Sequence, residues 1–254
     1  MKRRRILWTV LLLTGILLIP LIPVGAAGQS LSIPTVSLSI GGPDQSRAST
    51  TVQLIILLTV LAIAPTILLL MTCFTRVVVV LSLLRHALST QTIPPNQIII
   101  GLALFLTFFV MAPTWNRINS EALQPYYEDR ISGEEALTRA TQPIKSFMLH
   151  QTREKDLALF VKMAAEKRPE KPDEVSLKTL LPAFVISELK TAFQMGFIIY
   201  LPFFVIDMVV SSILLSMGMM MLPPVMVSLP FKLLLFVLVD GWYLVIGSLV
   251  QSFK

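Results

Sequence analysis

The 254 residues are 54% hydrophobic and only 14% charged, whereas soluble globular proteins carry about 25% charged residues. Several long uncharged runs place the sequence in the class of membrane proteins. Four of its 21 basic residues lie at Lys2–Arg5, and the other 17 (21 minus 4) nearly balance 15 acidic residues, so the net charge of +6 requires no nucleic-acid-binding surface.

Residues 1–27 have the three parts of a secretory signal peptide. Lys2–Arg5 form its positive part, Ile6–Ile19 its apolar part and Gly25–Ala27 a small-residue cleavage site. The alternative is an uncleaved first membrane helix, but the compact apolar part favours cleavage. Cleavage would leave the mature N-terminus outside the cytoplasm, and residues 28–50, rich in Ser, Gly and Pro, are predicted to be a flexible leader.

Residues 51–113 are predicted to form a first hydrophobic helical hairpin, made of the apolar segments Val52–Phe74 and Ile98–Ala112. The connection between these segments is short and basic, which places it in the cytoplasm by the positive-inside rule. Its basic residues are Arg76, Arg85 and His86. The single cysteine, Cys73, lies in an apolar run, and we expect a small buried side chain there rather than a reactive thiol.

Residues 114–181 differ in composition from the rest of the chain, with 11 Lys or Arg and 11 Asp or Glu. A first helix is predicted around Ser132–His150, because Ser132 and Glu135 have the spacing of a capping box. A second helix is predicted around Thr152–Lys167 from its apolar stripe. We therefore predict a small helical domain on the outer side of the membrane, called the charged domain below.

Residues 182–254 are predicted to form a second hydrophobic helical hairpin that carries charges in apolar surroundings. These charges are Glu188, Lys190, Asp207, Lys232 and Asp240. Charges in such places are costly and usually functional. Glu188 and Lys190 are two residues apart, so they do not face each other on a helix and each needs a partner elsewhere. The candidate pairs are Glu188 with Lys232, and Lys190 with Asp207 or Asp240.

Two uses of these charges are open. Pairing between copies of the chain would specify assembly, whereas charges that line a wet cavity would form a path for ions. The nearly equal numbers of acidic and basic groups favour assembly.

A run of methionines marks the middle of the second hairpin. Met219, Met220 and Met221 stand just before Pro223 and Pro224, where the missing amide donors are expected to end the helix. Gly218 loosens the turn before the run. Because Met is flexible and fills irregular shapes, a ring of such loops would make a deformable apolar seal, and filling of an ordinary core is the alternative.

The sequence contains no glycine-rich phosphate loop, no Cys and His set with zinc spacing, and no GxSxG or HExxH motif. No catalytic residue, metal or cofactor is therefore predicted, and the protein is expected not to be an enzyme. The fold predicted from the pattern is an all-α membrane-associated protein, with long Pro-broken hydrophobic helices forming hairpins plus a small helical extracytoplasmic domain.

Three stretches of the sequence resemble the FliP family, the flagellar biosynthetic membrane proteins of the type III export apparatus. They are LSLLRHALSTQTIPPNQIIIGLALFLTFFVMAP over Leu81–Pro113, PAFVISELKTAFQMGFIIYLPFFVIDMVVSSILLSMGMMMLPP over Pro182–Pro224, and SLPFKLLLFVLVDGW over Ser228–Trp242. The charged domain has the position and size expected in that family, and a signal peptide is typical of its flagellar members rather than of the related injectisome proteins.

The resemblance implies a role in protein export. Five copies would assemble with FliQ and FliR in the bacterial inner membrane at the flagellar basal body, with the charged domain on the periplasmic side. They would form a gate, needed for flagellum assembly, through which unfolded flagellar subunits pass. In this gate Met219–Met221 would form the gasket of the pore and Gly218, Pro223 and Pro224 its hinge.

The resemblance further implies that the positions of Glu188 and Lys232 carry charges used between subunits. It also implies that much of the apolar helix surface is covered by other subunits above the lipid plane, so that contact with lipid is limited. The alternative function is an ion-coupled secondary transporter that uses Glu188, Asp207 and Asp240 within the membrane. The sequence has no visible internal inverted repeat, which disfavours that alternative.

Overall fold

The computed structural model describes residues 46–90, 92–164, 174–219 and 221–253. The predicted signal peptide and nearly all of the predicted leader lie outside these residues. The chain divides into two units, Met1–Gln53 and Leu54–Lys254, and the features discussed below belong to the second.

Every regular element in the described residues is helical, which confirms the all-α prediction. In chain order the α-helices are α1 (Ser46–Leu70), α2 (Phe74–Ala87), α3 (Asn96–Ile118), α4 (Gln124–Tyr127), α5 (Gly133–Gln151), α6 (Glu154–Met163), α7 (Leu177–Ser216), α8 (Pro224–Leu238) and α9 (Gly241–Gln251). A π-helix, Asn119–Leu123, joins α3 to α4. Pro125 follows this π-helix and has no amide donor, so the regular hydrogen bond to Glu121 cannot form.

In the part of the chain that the structure describes, three helical segments are long and apolar enough to cross a membrane: Val52–Leu70, Asn96–Tyr127 and Leu177–Ser216. Helices α8 and α9 meet the same requirement as a pair bent by 65°. These segments confirm that the chain is membrane-associated. The number of candidate spans is therefore three, or four if the bent pair counts as one.

Two prolines lie inside α7 and do not end it. Pro182 and Pro202 both fall within α7, which runs without interruption for 40 residues. A proline removes one intrahelical hydrogen bond and restricts the residue before it, but the turns on either side of it can continue. The domain boundary predicted at residue 182 thus falls inside a continuous helix. The predicted long hydrophobic helices with prolines are present, and α7 contains two of these prolines in its interior.

Helix α2 lies at the centre of the bundle, in contact with both α3 and α7. Its buried side chains recur every three or four residues, so they form one apolar face. They are Val77, Val80, Leu81, Leu84 and Ala87. Each fully buried Val or Leu contributes about 1.5–3 kcal/mol to stability. Ala103 of α3 and Ala192 of α7 are fully buried in the same core, where their small side chains let the helices approach closely.

The charged domain packs on the first part of α7 through α5 and α6. Ser132 caps α5 as the sequence predicts, because its hydroxyl accepts a hydrogen bond of 3.2 Å from the amide of Glu135. A second core joins the two parts of the chain. It is formed by Met148, Val175, Leu180 and Phe184.

The bundle has two ends that are used as landmarks below. At the domain end α2 begins, and its Arg76 hydrogen-bonds to Gln151 at the end of α5. At the loop end residues 88–95 connect α2 to α3. Helix α7 passes from the domain end to the loop end and continues beyond it.

Candidate functional site

The five charges singled out in the second hairpin differ in burial. Glu188 and Lys232 are almost completely buried, at 0% and 1% exposure. The side chain of Asp207 is 25% exposed. Lys190 and Asp240 are exposed. The prediction of charges in apolar surroundings therefore holds fully for two of the five residues, and the structure shows which groups surround these two.

Glu188 forms a buried ion pair with Arg76 of the same chain. The Arg76 side chain is 3% exposed. Its Nη2 donates to Glu188 Oε1, and its Nε donates to Glu188 Oε2 at 3.0 Å. The pair is thus bidentate, which is the geometry that holds guanidinium and carboxylate groups most firmly. The two residues are 112 positions apart in the chain.

The remaining donors of Arg76 are also used. Nη1 donates to both the carbonyl oxygen and the hydroxyl of Ser252, each at 3.0 Å. Nη2 donates to Gln151 Oε1 at 3.1 Å. The guanidinium lies over the Phe253 ring, 4.0 Å from its centroid. A guanidinium has five N–H donors, and here all five have an acceptor, which offsets much of the cost of burying the charge.

The interpretation of Arg76 as part of a cytoplasmic connection between two spans is corrected by this arrangement. Arg76 lies inside the bundle and contacts Gln151 of the charged domain, while Arg85 lies nine residues further along α2 at the loop end. The sequence did contain a signal: Arg76 is followed by four valines, so it is a charge in apolar surroundings like Glu188. The residues that we assigned to one loop therefore stand at opposite ends of a helix.

Lys232 is held at the loop end by three acceptors. Its Nζ donates to Asp207 Oδ2 at 2.6 Å, to Ser89 Oγ at 2.7 Å and to the carbonyl oxygen of Ala87 at 3.3 Å. Asp207 Oδ1 also accepts a hydrogen bond of 2.6 Å from Ser228 Oγ. An ammonium group has three donors, so the buried charge is fully satisfied.

Ser89 can reach Lys232 because of the way in which α2 ends. Its backbone φ of 59° is left-handed, as is common directly after a helix. The Ser89 amide then donates to the carbonyl oxygen of His86 at 2.9 Å, which closes the last turn. The end of α2 thus supplies both a hydroxyl and a carbonyl acceptor to a lysine from α8.

The partners within the chain differ from the candidate pairs. Glu188 pairs with Arg76 instead of Lys232, and Asp207 pairs with Lys232 instead of Lys190. Asp240 precedes α9 in a left-handed conformation with φ of 51°. The sequence pattern indicated that Glu188 and Lys232 need partners, but it did not indicate Arg76 or which helices bring the partners together. A role of these charges between copies of the chain stays a prediction.

Met219 and Met221 lie at the tip of the hairpin formed by α7 and α8, and this tip is called the Met tip below (residues 217–219, 221 and 222). Nine residues separate Asp207 from the end of α7 at Ser216, and eight separate the start of α8 at Pro224 from Lys232. At 1.5 Å per residue the tip extends about 12–14 Å beyond the loop end of the bundle. Of the predicted gasket residues, Met219 is 41% and Met221 99% exposed, and Met220 lies outside the described residues.

Gly218 and Pro223 lie between the end of α7 and the start of α8 at Pro224, and α7 ends before the prolines that are expected to end it. Gly218 has a φ of 73° and follows the end of α7, a position that favours glycine. Pro223 caps α8 and Pro224 is its first residue, where a proline costs no hydrogen bond. Their role as a hinge stays a prediction.

The hairpin that carries the Met tip has an open apolar groove between its two helices. The groove has a volume of about 430 Å³. It is lined by Val205, Ile206, Val209, Val210, Ile213, Leu214, Val227 and Phe231. Because its lining residues are all apolar, the groove near the Met tip is suited to contact apolar groups.

Among the described residues no three His, Cys, Asp or Glu side chains come together as metal ligands would.

Known proteins similar to this chain share one description. The sequence profile of the FliP family matches residues 57–249. The flagellar biosynthetic protein FliP of Bacillus subtilis (strain 168) is 63% identical over 210 residues, which cover 83% of this chain and 95% of the relative. The protein of the same name from Pectobacterium carotovorum subsp. carotovorum is 58% identical, over 89% of this chain and 86% of its own length. The one from Aquifex aeolicus (strain VF5) is 50% identical, over 87% of this chain and 92% of its own length.

Proposed function

Because the chain belongs to the FliP family and is thus a component of the flagellar export apparatus, we propose that it is a pore-forming subunit of the flagellar export gate. In this proposal the gate passes unfolded flagellar subunits across the bacterial inner membrane at the basal body. Its work is to conduct a polypeptide and to seal the path afterwards, and it involves no catalysis by this chain.

The observation that carries the proposal is the Met tip. Met219 and Met221 are exposed at the end of a hairpin that extends beyond the rest of the bundle. Methionine side chains are flexible and polarizable, so they adapt to surfaces of different shape. Several copies of the tip around one axis would close a pore against ions and would also yield to passing chains of varied sequence.

The length of α7 supports assembly from several copies. Its 40 residues span about 60 Å, whereas the hydrocarbon core of a membrane is about 30 Å thick. Exposed apolar side chains occur along α7 from Ile186 to Leu215, a distance of about 44 Å at 1.5 Å per residue. Lipid would cover only part of this face unless the helix tilts strongly. We propose that neighbouring copies, five in total, and subunits of the FliQ and FliR type cover the rest.

The proposed orientation places the charged domain in the periplasm, as the resemblance implies. Helices α5 and α6 each expose charged side chains to water, including the ion pair between Arg139 and Glu135. A domain of this composition is stable in an aqueous compartment and not within lipid. The proposed division of the chain is a signal peptide (1–27), a leader (28–50), a first hydrophobic segment (51–113), the charged domain (114–181) and the gate hairpin (182–254).

The experiment that tests the seal replaces Met219, Met220 and Met221 together by Ala. The shorter side chains would no longer meet across the pore, so we expect an increased ion leak across membranes that contain the assembled complex. Met163→Ala is the matched control, because Met163 is 70% exposed but lies in α6 of the charged domain. Purification of the complex confirms that both variants assemble. An assembled triple variant that leaks no more than the control would contradict the proposed gasket.

A further inference from the structure

The last described residues of the chain are bound at the domain end of the bundle. Ser252 accepts two hydrogen bonds from Arg76, and the Phe253 ring covers the same guanidinium. The carbonyl oxygen of Phe253 accepts a further hydrogen bond of 3.4 Å from Gln151 Nε2. The tail is thus attached both to α2 and to the end of α5.

The same place joins the charged domain to α7. Ser187 of α7 accepts a hydrogen bond of 3.0 Å from the amide of Arg153, and its hydroxyl donates to the carbonyl oxygen of Gln151 at 3.3 Å. These contacts hold the short connection between α5 and α6. Glu188, the next residue of α7, binds Arg76. Four separate parts of the chain therefore meet around one guanidinium.

The tail supplies acceptors that the buried guanidinium needs. Two of the five hydrogen bonds of Arg76 end on Ser252, and Glu188 alone satisfies two others. Without the tail, two donors of a nearly buried cation would lose their partners, which is costly in a place with little water. The arrangement of Arg76, and through it of Gln151, depends on residues that follow Arg76 by 176 positions and Gln151 by 102.

We propose that Ser252 and Phe253 act as a clasp that holds the charged domain against the apolar bundle through Arg76. These contacts form only when four parts of the chain are in place: α7, the start of α2, the end of α5 and the residues that follow α9. It thereby couples the position of the charged domain to the C-terminal segment, with which the domain shares few other contacts. This role is independent of what the assembled protein transports.

Deletion of residues 252–254 tests the clasp, with amide hydrogen exchange of the purified complex as the measurement. We expect the amides of Thr152 and Arg153 to exchange about tenfold faster or more, because hydrogen bonds to a buried charged group are lost. Exchange around Lys232, at the other end of the bundle, should stay the same. Tyr243→Ala is the control, since Tyr243 is 74% exposed on α9.

A second variant keeps the test decisive if the shortened chain does not accumulate. Phe253→Ala leaves both acceptors of Ser252 but removes the ring over Arg76, and a cation–π contact of this kind corresponds to about a twofold to tenfold change in exchange. Unchanged exchange at Thr152 and Arg153 in Phe253→Ala would overturn the proposal. Equal acceleration around Lys232 would also overturn it, because the tail would then only add general stability.

Discussion

Reversal of the charge at Glu188 distinguishes a pair within the chain from a pair between copies. Glu188→Lys would place a second cation beside Arg76, and two N–H donors of the guanidinium would lose their acceptors. Breaking a buried pair by removing one partner costs about 3–5 kcal/mol. Since folded proteins are stable by only about 5–15 kcal/mol, this variant is expected to lose a large part of its stability.

The assay is the thermal unfolding of the detergent-solubilised protein together with the yield of assembled complex. Arg76→Glu in the same chain restores opposite charges at the pair, so the double variant should regain part of the lost stability. The recovery stays partial, because a glutamate cannot donate to Ser252 or Gln151 as Arg76 does. Glu135→Lys is the control: its partner Arg139 is about half exposed, and such surface pairs contribute about 0–1 kcal/mol.

The competing expectation is rescue by Lys232→Glu, which would follow if Glu188 met Lys232 of a neighbouring copy. Within the chain, Lys232→Glu instead destroys the bond to Asp207. Glu188 and Asp207 are 19 residues apart on one helix, about 28 Å, so the two losses should add. Rescue of Glu188→Lys by Lys232→Glu, combined with no rescue by Arg76→Glu, would refute the reasoning from the internal pair.

Two further predictions concern single side chains. Burial raises the pKa of the Cys73 thiol to about 12, so Cys73 should resist maleimide at pH 7 in the folded protein and react after denaturation. Because the folded state releases the thiol proton at a higher pH than the unfolded state, Cys73 also contributes stability that is lost as the pH rises from 9 to 12. Rapid labelling of the folded protein would contradict this. Gly241→Ala would place a methyl group 2.1 Å from Cδ2 of the buried Phe236 ring, and such overpacking costs about 1–3 kcal/mol. Gly101→Ala, with no atom within 4 Å, should keep or raise the unfolding temperature, and equal effects of the two variants would contradict the packing described for Phe236.

Local features of this chain were predictable because their causes are local. The hydropathy of Val52–Leu70 and of α7 predicts long apolar helices, because an uninterrupted apolar run can be recognised without knowing its distant contacts. The cap at Ser132 follows from the spacing to Glu135. Each of these predictions needs only a window of a few turns.

The partners of the buried charges were not predictable in the same way. Arg76 and Glu188 are 112 residues apart, and Lys232 meets Ser89 across 143 residues. Separation along the chain does not favour one possible partner over another, because each pairing depends on how separate helices pack. Lys190 illustrates a second limit: it is only two residues from the buried Glu188 but lies on another face of α7, where it is exposed.

The two buried polar clusters explain how an apolar chain of this kind adopts one arrangement. Apolar helix faces pack against one another in many registers, so burial alone specifies the pairing of α2, α7 and α8 weakly. Arg76 and Lys232 are satisfied only when their acceptors on other helices are aligned with them, and they act near the two ends of α2. A shift of α2 by one helical turn, about 5.4 Å, would separate Arg76 from Glu188 and remove two of the three acceptors of Lys232, which would keep only Asp207. We infer that these clusters fix the register of α2 against α7 and α8, while the apolar face of α7 stays exposed.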